Sequence, residues 1–500
     1  MTSTNLRRFS SWASVLAVLA ACGCGDDGEP GGHAPPPVPP APQPAPPEPP
    51  PTPTEGSFDG TLAVDTDPAP DVVDVTLEAR VADVELAPGR VVSMWTYDGV
   101  LPGPRIEART GDLVRVRFTN SLPESTTIHW HGVRVPAAMD GAPVVQSPIA
   151  PGGSFTYEFR VPDAGTFWYH PHVRSDEQVE RGLYGTLVVR GDREPDSTSD
   201  HVVVLDDILL DEGWQLVPFD ESQAMVGRQG NVILANGRSL PIADVQPGGL
   251  HRFRFVNAAN ARYFRLALPG ARFTLIGTDG GPIEQPQELA EILLVPGERA
   301  DVLVVAPTTA DAVVEWQSLS YDRGHETGTA PDVSVFQMRS AGEPAATTLT
   351  VPPTLGTVPE LPPATVVREL RLEEMEDGGG GHAGHGDPGA AGPLFAINGR
   401  IYPDGESLLA TLGDVEEWSI VNTTMMDHPF HLHGFRFQIA DVQGTSPSFR
   451  AWRDTINVVA MQTVRFRVRL ESNPGTWMFH CHILEHAERG MMGELSVVEP

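Results

Sequence analysis

Four pairs of histidines, each separated by a single residue, are the most unusual feature of this sequence. Sixteen histidines spread at random over 500 residues would give fewer than one such pair. The pairs are His129 and His131, His170 and His172, His431 and His433, and His480 and His482. Alternate side chains of a β-strand point to the same face, so each pair can direct two imidazoles towards one site. Eight imidazoles suit copper, iron, nickel or zinc.

A single cysteine lies between the two histidines of the last pair. Cys481 is the only cysteine after residue 24. On a strand, its thiol would point away from the face that carries His480 and His482. One short segment of chain would therefore supply ligands to two different metal sites.

Three further residues near this segment complete a second kind of ligand set. His428 lies three residues before His431 and is therefore out of phase with it, while His486 and Met491 follow Cys481. Two imidazoles, a thiolate and a weak axial thioether are the ligands of a blue copper centre. Zinc would require four strong ligands and would leave the thioether without a role. The sequence therefore favours copper.

The segments around these motifs follow β-strand patterns. Apolar and polar residues alternate at 72–77, 113–118 and 155–159, and Pro, Gly, Asn and Asp separate such segments. This pattern indicates antiparallel β-sandwiches. A turn, a strand and a closing asparagine recur at 111–120, 247–257 and 413–422, which indicates three related modules. We predict an all-β fold with domains at 57–192, 196–343 and 364–500.

Two N-terminal segments precede the predicted domains. Residues 1–22 have the basic start and short apolar stretch of an export signal, and residues 23–56 form a Pro/Gly-rich linker. The signal ends in Leu-Ala-Ala before Cys22, which resembles a bacterial lipobox; ordinary cleavage near Ala21 is the alternative. We expect a lipid-anchored protein of the bacterial cell envelope, in the periplasm or on the outer surface.

The charge balance limits the possible partners. Asp and Glu number 66 against 34 Lys and Arg, which gives a net charge of −32. Nucleic acid is excluded as a partner because binding to phosphates requires a basic surface. Apart from a lipid anchor, we predict no contact with a membrane.

Together the motifs resemble those of the multicopper oxidases, the family that includes laccases and bacterial cuprous oxidases. The similarity covers roughly residues 60–500 and depends on the segments 129–132, 169–172, 428–434 and 480–491. It implies three cupredoxin-like Greek-key β-sandwich domains. It also implies four copper ions, three of which form a trinuclear cluster between the first and third domains.

Carried over residue by residue, the resemblance implies which residues bind each ion. The type 1 copper would take His428, Cys481, His486 and Met491. The type 2 copper would take His129 and His431. The two type 3 coppers would take His131, His170 and His482, and His172, His433 and His480.

The resemblance also implies the reaction. A reducing substrate would dock near His428 or His486, and Cys481 would pass its electrons singly to His480 or His482. Four electrons would reduce dioxygen to water at the trinuclear cluster. Cys481 would therefore be catalytic as well as a ligand.

Three acidic residues could support the reaction, each with a plain structural alternative. Asp140 matches an acidic position of bacterial members and could assist proton supply, or it could simply form a turn with Gly141. Asp454 could orient a metal-bound histidine or belong to a turn. Asp427 could orient an electron donor or serve as a loop or capping residue.

One position departs from the family pattern. Bacterial relatives often carry Glu directly after the ligand matching His486, and this chain has Ala487 there. Glu488 is adjacent, but in a strand or extended loop its side chain would point elsewhere. The proton route on this side is therefore open.

Two substrate classes are compatible with the sequence. One is a laccase-like oxidation of phenols or aromatic amines, and the other is oxidation of a metal ion such as Cu(I), Mn(II) or Fe(II). A Gly/His-rich segment at 378–387 could capture a metal ion, or it could be a disordered insertion. An axial Met491 indicates easily oxidised donors. A non-catalytic cupredoxin scaffold is a third interpretation, against which the full ligand set argues.

Overall fold

The computed structural model describes residues 58–220, 222–324, 327, 331–375 and 394–500. The predicted export signal at 1–22, the linker at 23–56, Cys22 and the Gly/His-rich segment at 378–387 lie outside the described residues. None of the helices among the described residues is long and apolar enough to span a membrane.

Eight strands build the first sandwich. They are β1 (Val72–Ala87), β2 (Arg90–Tyr97), β3 (Gly103–Arg109), β4 (Leu113–Asn120), β5 (His129–His131), β6 (Ser154–Arg160), β7 (Gly165–His170) and β8 (Gly185–Arg190). One sheet has the order β2-β1-β4-β6 and the other β3-β8-β7-β5. The three segments predicted as strands lie within β1, β4 and β6. A 3-10 turn at Ala137–Met139 and a short helix α1 (Ser175–Glu180) follow β5 and β7.

The second sandwich contains eleven strands among the described residues. They are β9 (Ser199–Ile208), β10 (Val232–Ala235), β11 (Ile242–Val245), β12 (Leu250–Asn257), β13 (Phe264–Ala267), β14 (Phe273–Thr278), β15 (Gly281–Leu289), β16 (Glu291–Leu294), β17 (Arg299–Val305), β18 (Val313–Leu319) and β19 (Val333–Ser340). The sheets have the orders β10-β9-β12-β17-β14-β15 and β11-β19-β18-β13-β16. A short helix α2 (Ser222–Val226) precedes β10.

Ten described strands build the third sandwich. They are β20 (Val366–Met375), β21 (Leu394–Ile397), β22 (Leu408–Thr411), β23 (Val415–Asn422), β24 (His428–Leu432), β25 (Phe437–Val442), β26 (Thr455–Val458), β27 (Thr463–Arg469), β28 (Gly475–Cys481) and β29 (Met492–Val498). The sheets have the orders β21-β20-β23-β27-β25 and β22-β29-β28-β24-β26. A short helix α3 (Leu484–Glu488) separates β28 from β29.

The repeated segments of the sequence occupy equivalent places in the three sandwiches. They are β4, β12 and β23, and each runs parallel to the first strand of its sandwich, β1, β9 or β20. Alternate residues of β4 and β23 are buried, as the period of a half-buried strand requires. The predicted all-β architecture of three related sandwiches is therefore confirmed.

The asparagine that closes each repeat fixes the loop after it. Asn120, Asn257 and Asn422 are buried. Each side-chain amide donates to two main-chain carbonyls, one of them four or five residues further along the chain, at 2.7 to 2.9 Å. Each side-chain oxygen accepts from the N–H group two residues on. In the third sandwich this loop leads directly into His428.

Candidate metal centres

Strand pairing brings the histidine motifs together in twos. In the first sandwich β5 pairs with β7, which places His129 opposite His170. In the third sandwich β24 pairs with β28, which places His431 opposite His480. The eight paired histidines are all buried, with none more than 7% exposed.

The histidines of the first and third sandwiches meet in a single cluster. The His129 ring stacks on His433 with centroids 3.9 Å apart, and His131 stacks on His431 at 3.7 Å. The ring centroids of His172 and His480 are 5.2 Å apart. The eight rings therefore gather around one region between these two sandwiches.

Three rings of this cluster present a lone pair that no described residue satisfies. Their Nδ1 atoms donate to main-chain carbonyl oxygens: His129 to Asp140 at 2.9 Å, His170 to Pro171 at 3.0 Å and His431 to Asp454 at 2.9 Å. A carbonyl oxygen only accepts, so Nδ1 carries the proton and Nε2 keeps its lone pair. These Nε2 atoms are buried without a hydrogen-bond partner among the described residues. Buried lone pairs of this kind fit a metal cation.

In His131 the roles of the two ring nitrogens are reversed. Its Nε2 lies 3.1 Å from Asp454 Oδ1 and 3.2 Å from Thr455 Oγ1, while its buried Nδ1 has no partner among the described residues. Burial alone would raise the pKa of Asp454, but Arg299 and His431 lower it below its ordinary value. The ionised carboxylate only accepts, so His131 carries its proton on Nε2 and offers Nδ1 as a ligand.

Two further rings place lone pairs against each other. Nε2 of His433 and Nε2 of His480 are 3.0 Å apart. Their Nδ1 atoms donate to Asp140 Oδ2 and to the Cys481 carbonyl, both at 2.8 Å. Neither Nε2 atom then has a proton to share, so a cation bound by both would relieve their repulsion.

Burial keeps these imidazoles neutral and ready to bind a metal. It lowers the pKa of His172 to about 3 and that of His170, His480 and His482 well below the ordinary value. Metal ligation requires the unprotonated ring. The cluster is therefore competent for metal binding at neutral pH.

A second group of ligand atoms lies on the other side of β28. Cys481 Sγ is 3.5 Å from Nδ1 of His428 and 3.7 Å from Nδ1 of His486, and the two nitrogens are 3.2 Å apart. His486 Nε2 donates to the Met225 carbonyl at 3.0 Å, so its Nδ1 lone pair faces the sulfur. All three side chains are fully buried. Two imidazoles and a thiol in this arrangement fit copper.

Met491 is held beside this group by the main chain. Its N–H donates to the His486 carbonyl at 2.9 Å, and its carbonyl accepts from the Cys481 N–H at 3.0 Å. The Met491 side chain is fully buried. The helix α3 thus returns the chain to Cys481 and places the predicted thioether in the same hydrophobic surroundings.

The acidic residues singled out in the sequence have different surroundings. Asp140 contacts the cluster, since its Oδ2 accepts from His433 and its Oδ1 lies 3.3 Å from His129 Nδ1. The predicted turn of Asp140 with Gly141 is also present. Gly141 has a φ of +82°, and a side chain there would clash with a main-chain carbonyl. Asp427 is buried and accepts hydrogen bonds from a tyrosine, an asparagine and a main-chain N–H, so it braces the loop before His428.

The segment after His486 differs from the expected strand or extended loop. Leu484–Glu488 forms the helix α3, and four of its five residues are buried, including the polar Glu485 and His486. The Glu488 carboxylate accepts from the N–H and hydroxyl groups of Ser175, both at 2.7 Å. It therefore connects α3 to α1, and the expectation of extended chain was wrong.

Several residues that position the ligands carry no local signal in the sequence. Thr424 Oγ1 contacts His428 Nε2 at 2.9 Å, and the Met225 carbonyl binds His486. Arg299 holds Asp454, and Gly297 lies against His482 and His131. These contacts come from loops and from the second sandwich, which local patterns around the histidines do not report.

Comparisons with known proteins agree on one family. Three sequence families, each described as multicopper oxidase, match residues 79–194, 161–326 and 380–500. The multicopper oxidase MmcO of Mycobacterium tuberculosis is 34% identical over 463 residues, covering 85% of this chain and 87% of that protein. A laccase of Bacillus subtilis is 26% identical, covering 81% of this chain and 90% of that protein.

The fold agrees with solved structures as well. A Campylobacter jejuni multicopper oxidase, described as a metallo-oxidase, superposes with a TM-score of 0.80 and 32% identity, covering 92% of this chain and 98% of that chain. An Aquifex aeolicus multicopper oxidase gives a TM-score of 0.77 at 29% identity, covering 89% and 99%. These similarities confirm the predicted cupredoxin-like Greek-key sandwiches.

Proposed function

This chain belongs to the multicopper oxidase family of copper-dependent oxidoreductases, as its motifs predicted, and on that basis we propose that it couples the one-electron oxidation of a reducing substrate to the four-electron reduction of dioxygen to water. The first candidate substrate is a phenol or an aromatic amine, as for a laccase. Dioxygen is the proposed acceptor.

One observation carries this proposal. Cys481 Sγ lies in one ligand group with His428 and His486, while the adjacent His480 and His482 belong to the eight-histidine cluster. A single peptide bond therefore separates residues of the two proposed centres. Such a connection suits a protein that accepts electrons at one site and uses them at another.

The two ligand groups support four copper ions in the proposed arrangement. His428, Cys481, His486 and Met491 would hold the type 1 ion, and His129 and His431 the type 2 ion. His131, His170 and His482 would hold one type 3 ion, and His172, His433 and His480 the other. Bound copper would supply the one-electron redox chemistry. The mutual proximity of the His172, His433 and His480 nitrogens supports the last of these sets.

Asp140 is the proposed proton-assisting residue. Its carboxylate is fully buried and accepts from His433, and its Oδ1 has no hydrogen-bond partner among the described residues. Burial alone would raise its pKa, but His433 and His129 lower the pKa well below its ordinary value. An ionised oxygen beside the cluster can accept a hydrogen bond from water and hold it in place.

The reaction is tested by stoichiometry. The copper-loaded protein is supplied with a one-electron phenolic donor, and dioxygen uptake is followed with and without catalase. We expect one dioxygen consumed per four donor molecules and no effect of catalase. Release of peroxide, or no uptake by a fully copper-loaded protein, would contradict the proposal.

A second candidate, oxidation of Cu(I), is favoured by two exposed methionines. Met425 and Met461 are each 61% exposed. The Met461 N–H donates to the carbonyl of Thr424, the residue whose hydroxyl contacts His428. Thioethers prefer Cu(I) to harder cations. Met425, three residues before His428, and Met461, hydrogen-bonded to Thr424, therefore offer soft side chains for docking near a proposed type 1 ligand.

The two substrate classes are separated by one double variant. Leucine at Met425 and Met461 keeps size and apolarity but removes both sulfur atoms. If Cu(I) docks there, the KM for Cu(I) rises while the kinetics with a phenol stay unchanged in the same protein. An equal response with both substrates would assign the methionines a structural role only.

The location of the protein is a separate proposal that depends on the sequence. Cys22 follows a lipobox-like segment, so we propose an acylated, lipid-anchored protein of the bacterial envelope, in the periplasm or on the outer surface. Cys22→Ala should abolish metabolic labelling with a radioactive fatty acid and release the enzyme from membranes. Persistent membrane association without label would argue against the anchor.

A further inference from the structure

The second sandwich supplies none of the proposed copper ligands, yet one of its turns reaches the cluster. The turn lies between β16 and β17 and contains Gly297, whose φ is +87°. A Cβ atom at Gly297 would lie 2.9 Å from His482 Cδ2 and 3.0 Å from His131 Cε1. The main chain of the second sandwich therefore packs directly against two rings of the cluster.

Arg299, at the start of β17, makes the most extensive contacts of this turn. Its five side-chain N–H groups all have acceptors. Nε donates to the Thr166 carbonyl at 3.1 Å, Nη1 to the Gly297 carbonyl at 3.0 Å and to Asp454 Oδ1 at 2.6 Å, and Nη2 to the Asp279 carbonyl at 3.0 Å and to Asp454 Oδ2 at 2.5 Å. One fully buried side chain thus joins all three sandwiches.

Asp454 transmits this contact to two histidines. Its carboxylate accepts from His131 Nε2, and its main-chain carbonyl accepts from His431 Nδ1. Arg299 binds both carboxylate oxygens in parallel, which fixes the plane of the group as well as its place. The orientation of the Asp454 carboxylate in turn decides which nitrogen of His131 carries the proton.

The residue after His131 also accommodates the ion pair. Gly132 has a φ of +83°, and a Cβ atom there would lie 2.2 Å from Arg299 Nη2 and 2.6 Å from Asp454 Oδ2. Any larger residue at this position would collide with both partners. The glycine that closes the first histidine motif is therefore required by a residue of another sandwich.

We propose that Arg299 is a positioning residue of the copper cluster: by clamping Asp454 it holds His131 protonated on Nε2, so that the Nδ1 lone pair faces the metal. The second sandwich thereby controls ligand geometry without supplying a ligand. This inference rests on the proposed copper sites, but its first test uses the metal-free protein and does not depend on oxidase activity.

Arg299→Lys is the principal test variant. Lysine keeps the positive charge, but its ammonium group cannot bind two carboxylate oxygens and three main-chain carbonyls in the same plane. Arg254→Lys is the matched control, because Arg254 is also fully buried in the second sandwich but pairs with Asp200, Glu194 and Asp301 rather than with Asp454. It shares only Thr166 with Arg299, and it contacts the hydroxyl of that residue rather than the carbonyl.

The first measurement is histidine 15N NMR of the metal-free proteins. We expect the native protein and Arg254→Lys to show His131 as the Nε2–H tautomer, assigned by its absence in His131→Gln. In Arg299→Lys the signal should shift towards a mixture of tautomers. An unchanged Nε2–H signal in Arg299→Lys would overturn the proposal.

The second measurement uses the copper-loaded proteins. Arg299→Lys should keep the blue absorbance, since His428, Cys481 and His486 are untouched, while its cluster coppers bind about tenfold or more weakly and give an altered EPR spectrum. Arg254→Lys should keep the blue absorbance and the native copper cluster, even if it lowers the Tm as much as Arg299→Lys does. Identical cluster spectra and copper content in the two variants would reduce Arg299 to a structural residue.

Discussion

At the residue scale, the surroundings of Cys481 determine whether its sulfur carries a proton. Burial raises the pKa of this thiol, so the metal-free site holds a neutral SH group between two neutral imidazoles. A metal ion must displace that proton before the thiolate can bind. Without metal, the buried sulfur therefore remains a protonated thiol.

Substitution of this sulfur separates the two proposed centres. In Cys481→Ser the hydroxyl is a poor copper ligand, so the blue absorbance should disappear. The eight histidines keep their contacts, and metal analysis should still find about three coppers per chain. A surviving blue band would show that the type 1 assignment is wrong.

Asp140 offers a test of the cluster's immediate support. In Asp140→Asn the negative charge beside His433 and His129 is lost while the volume is kept. We expect kcat to fall about 10- to 100-fold, with the blue absorbance and the KM for the electron donor unchanged.

The matched control for Asp140→Asn is Asp112→Asn. Asp112 is also a buried carboxylate, but it accepts from the Arg109 N–H in a turn of the first sandwich. Its substitution should leave kcat within a factor of about two. Equal losses of kcat in both variants would indicate a general effect on folding rather than a role for Asp140 in the reaction.

At the scale of elements, short strands and tight turns place the ligands more than helices do. β5 has only three residues, and two of them are histidines of the cluster. It pairs with β7, and the turn at Gly297 packs against the ring of its His131. Substitutions that disturb these strands and turns should therefore first alter copper binding.

The turn at Gly297 allows a direct test of this view. An alanine there would force the His482 and His131 rings to move, and it would also strain the main chain at a φ of +87° by about 1 kcal/mol or more. We expect Gly297→Ala to lose cluster copper and oxidase activity, measured by metal analysis and dioxygen uptake.

Gly270→Ala is the matched control for this substitution. Gly270 has a φ of +78° in a loop of the same sandwich, with nothing within 4 Å of the added Cβ atom. It shares the backbone strain but not the contact, so it should lower the Tm without loss of copper. Loss of copper in both variants would attribute the effect to strain alone.

At the scale of the whole molecule, the metal cluster joins parts of the chain that are far apart in sequence. The His131 and Asp454 side chains that meet at 3.1 Å are separated by 323 positions. Ligands of the proposed cluster come from both the first and the third sandwich, and an arginine of the second connects them. Copper binding should therefore stabilise the contacts among the sandwiches as well as the site itself.

This stabilisation should depend on pH. His172 and His428 have folded-state pKa values of about 3, lowered by burial from the ordinary 6.5. Their contribution to stability is therefore present above pH 6.5 and lost as the pH falls towards 3. At pH 4 these nitrogens are still mostly unprotonated, so the pH dependence of copper binding comes from Cys481, whose raised pKa means that copper must displace the thiol proton. The Tm difference between copper-loaded and metal-free protein should therefore be larger at pH 7 than at pH 4. A constant difference across this range would contradict thiolate ligation.

Local patterns in the sequence were sufficient to predict how the ligands are arranged within each strand. Alternation along a strand is a property of neighbouring residues, so it predicted that His480 and His482 share one face and that Cys481 takes the other. It also predicted that His428 is out of phase with His431. The three sandwiches were predicted from local patterns as well: the alternation along the strands and the recurring segment that ends in an asparagine.

Contacts between the sandwiches, which local patterns do not predict, bring these units together. The roles of Arg299, Gly297 and Asp454 depend on contacts among three sandwiches, and no periodic pattern connects residues that are hundreds of positions apart. The helix at Leu484–Glu488 was missed because its five residues are too few for a 3.6-residue period to be visible. Long-range packing thus determines the tautomer of His131, whereas the alternation of the strand determines the face on which its side chain lies.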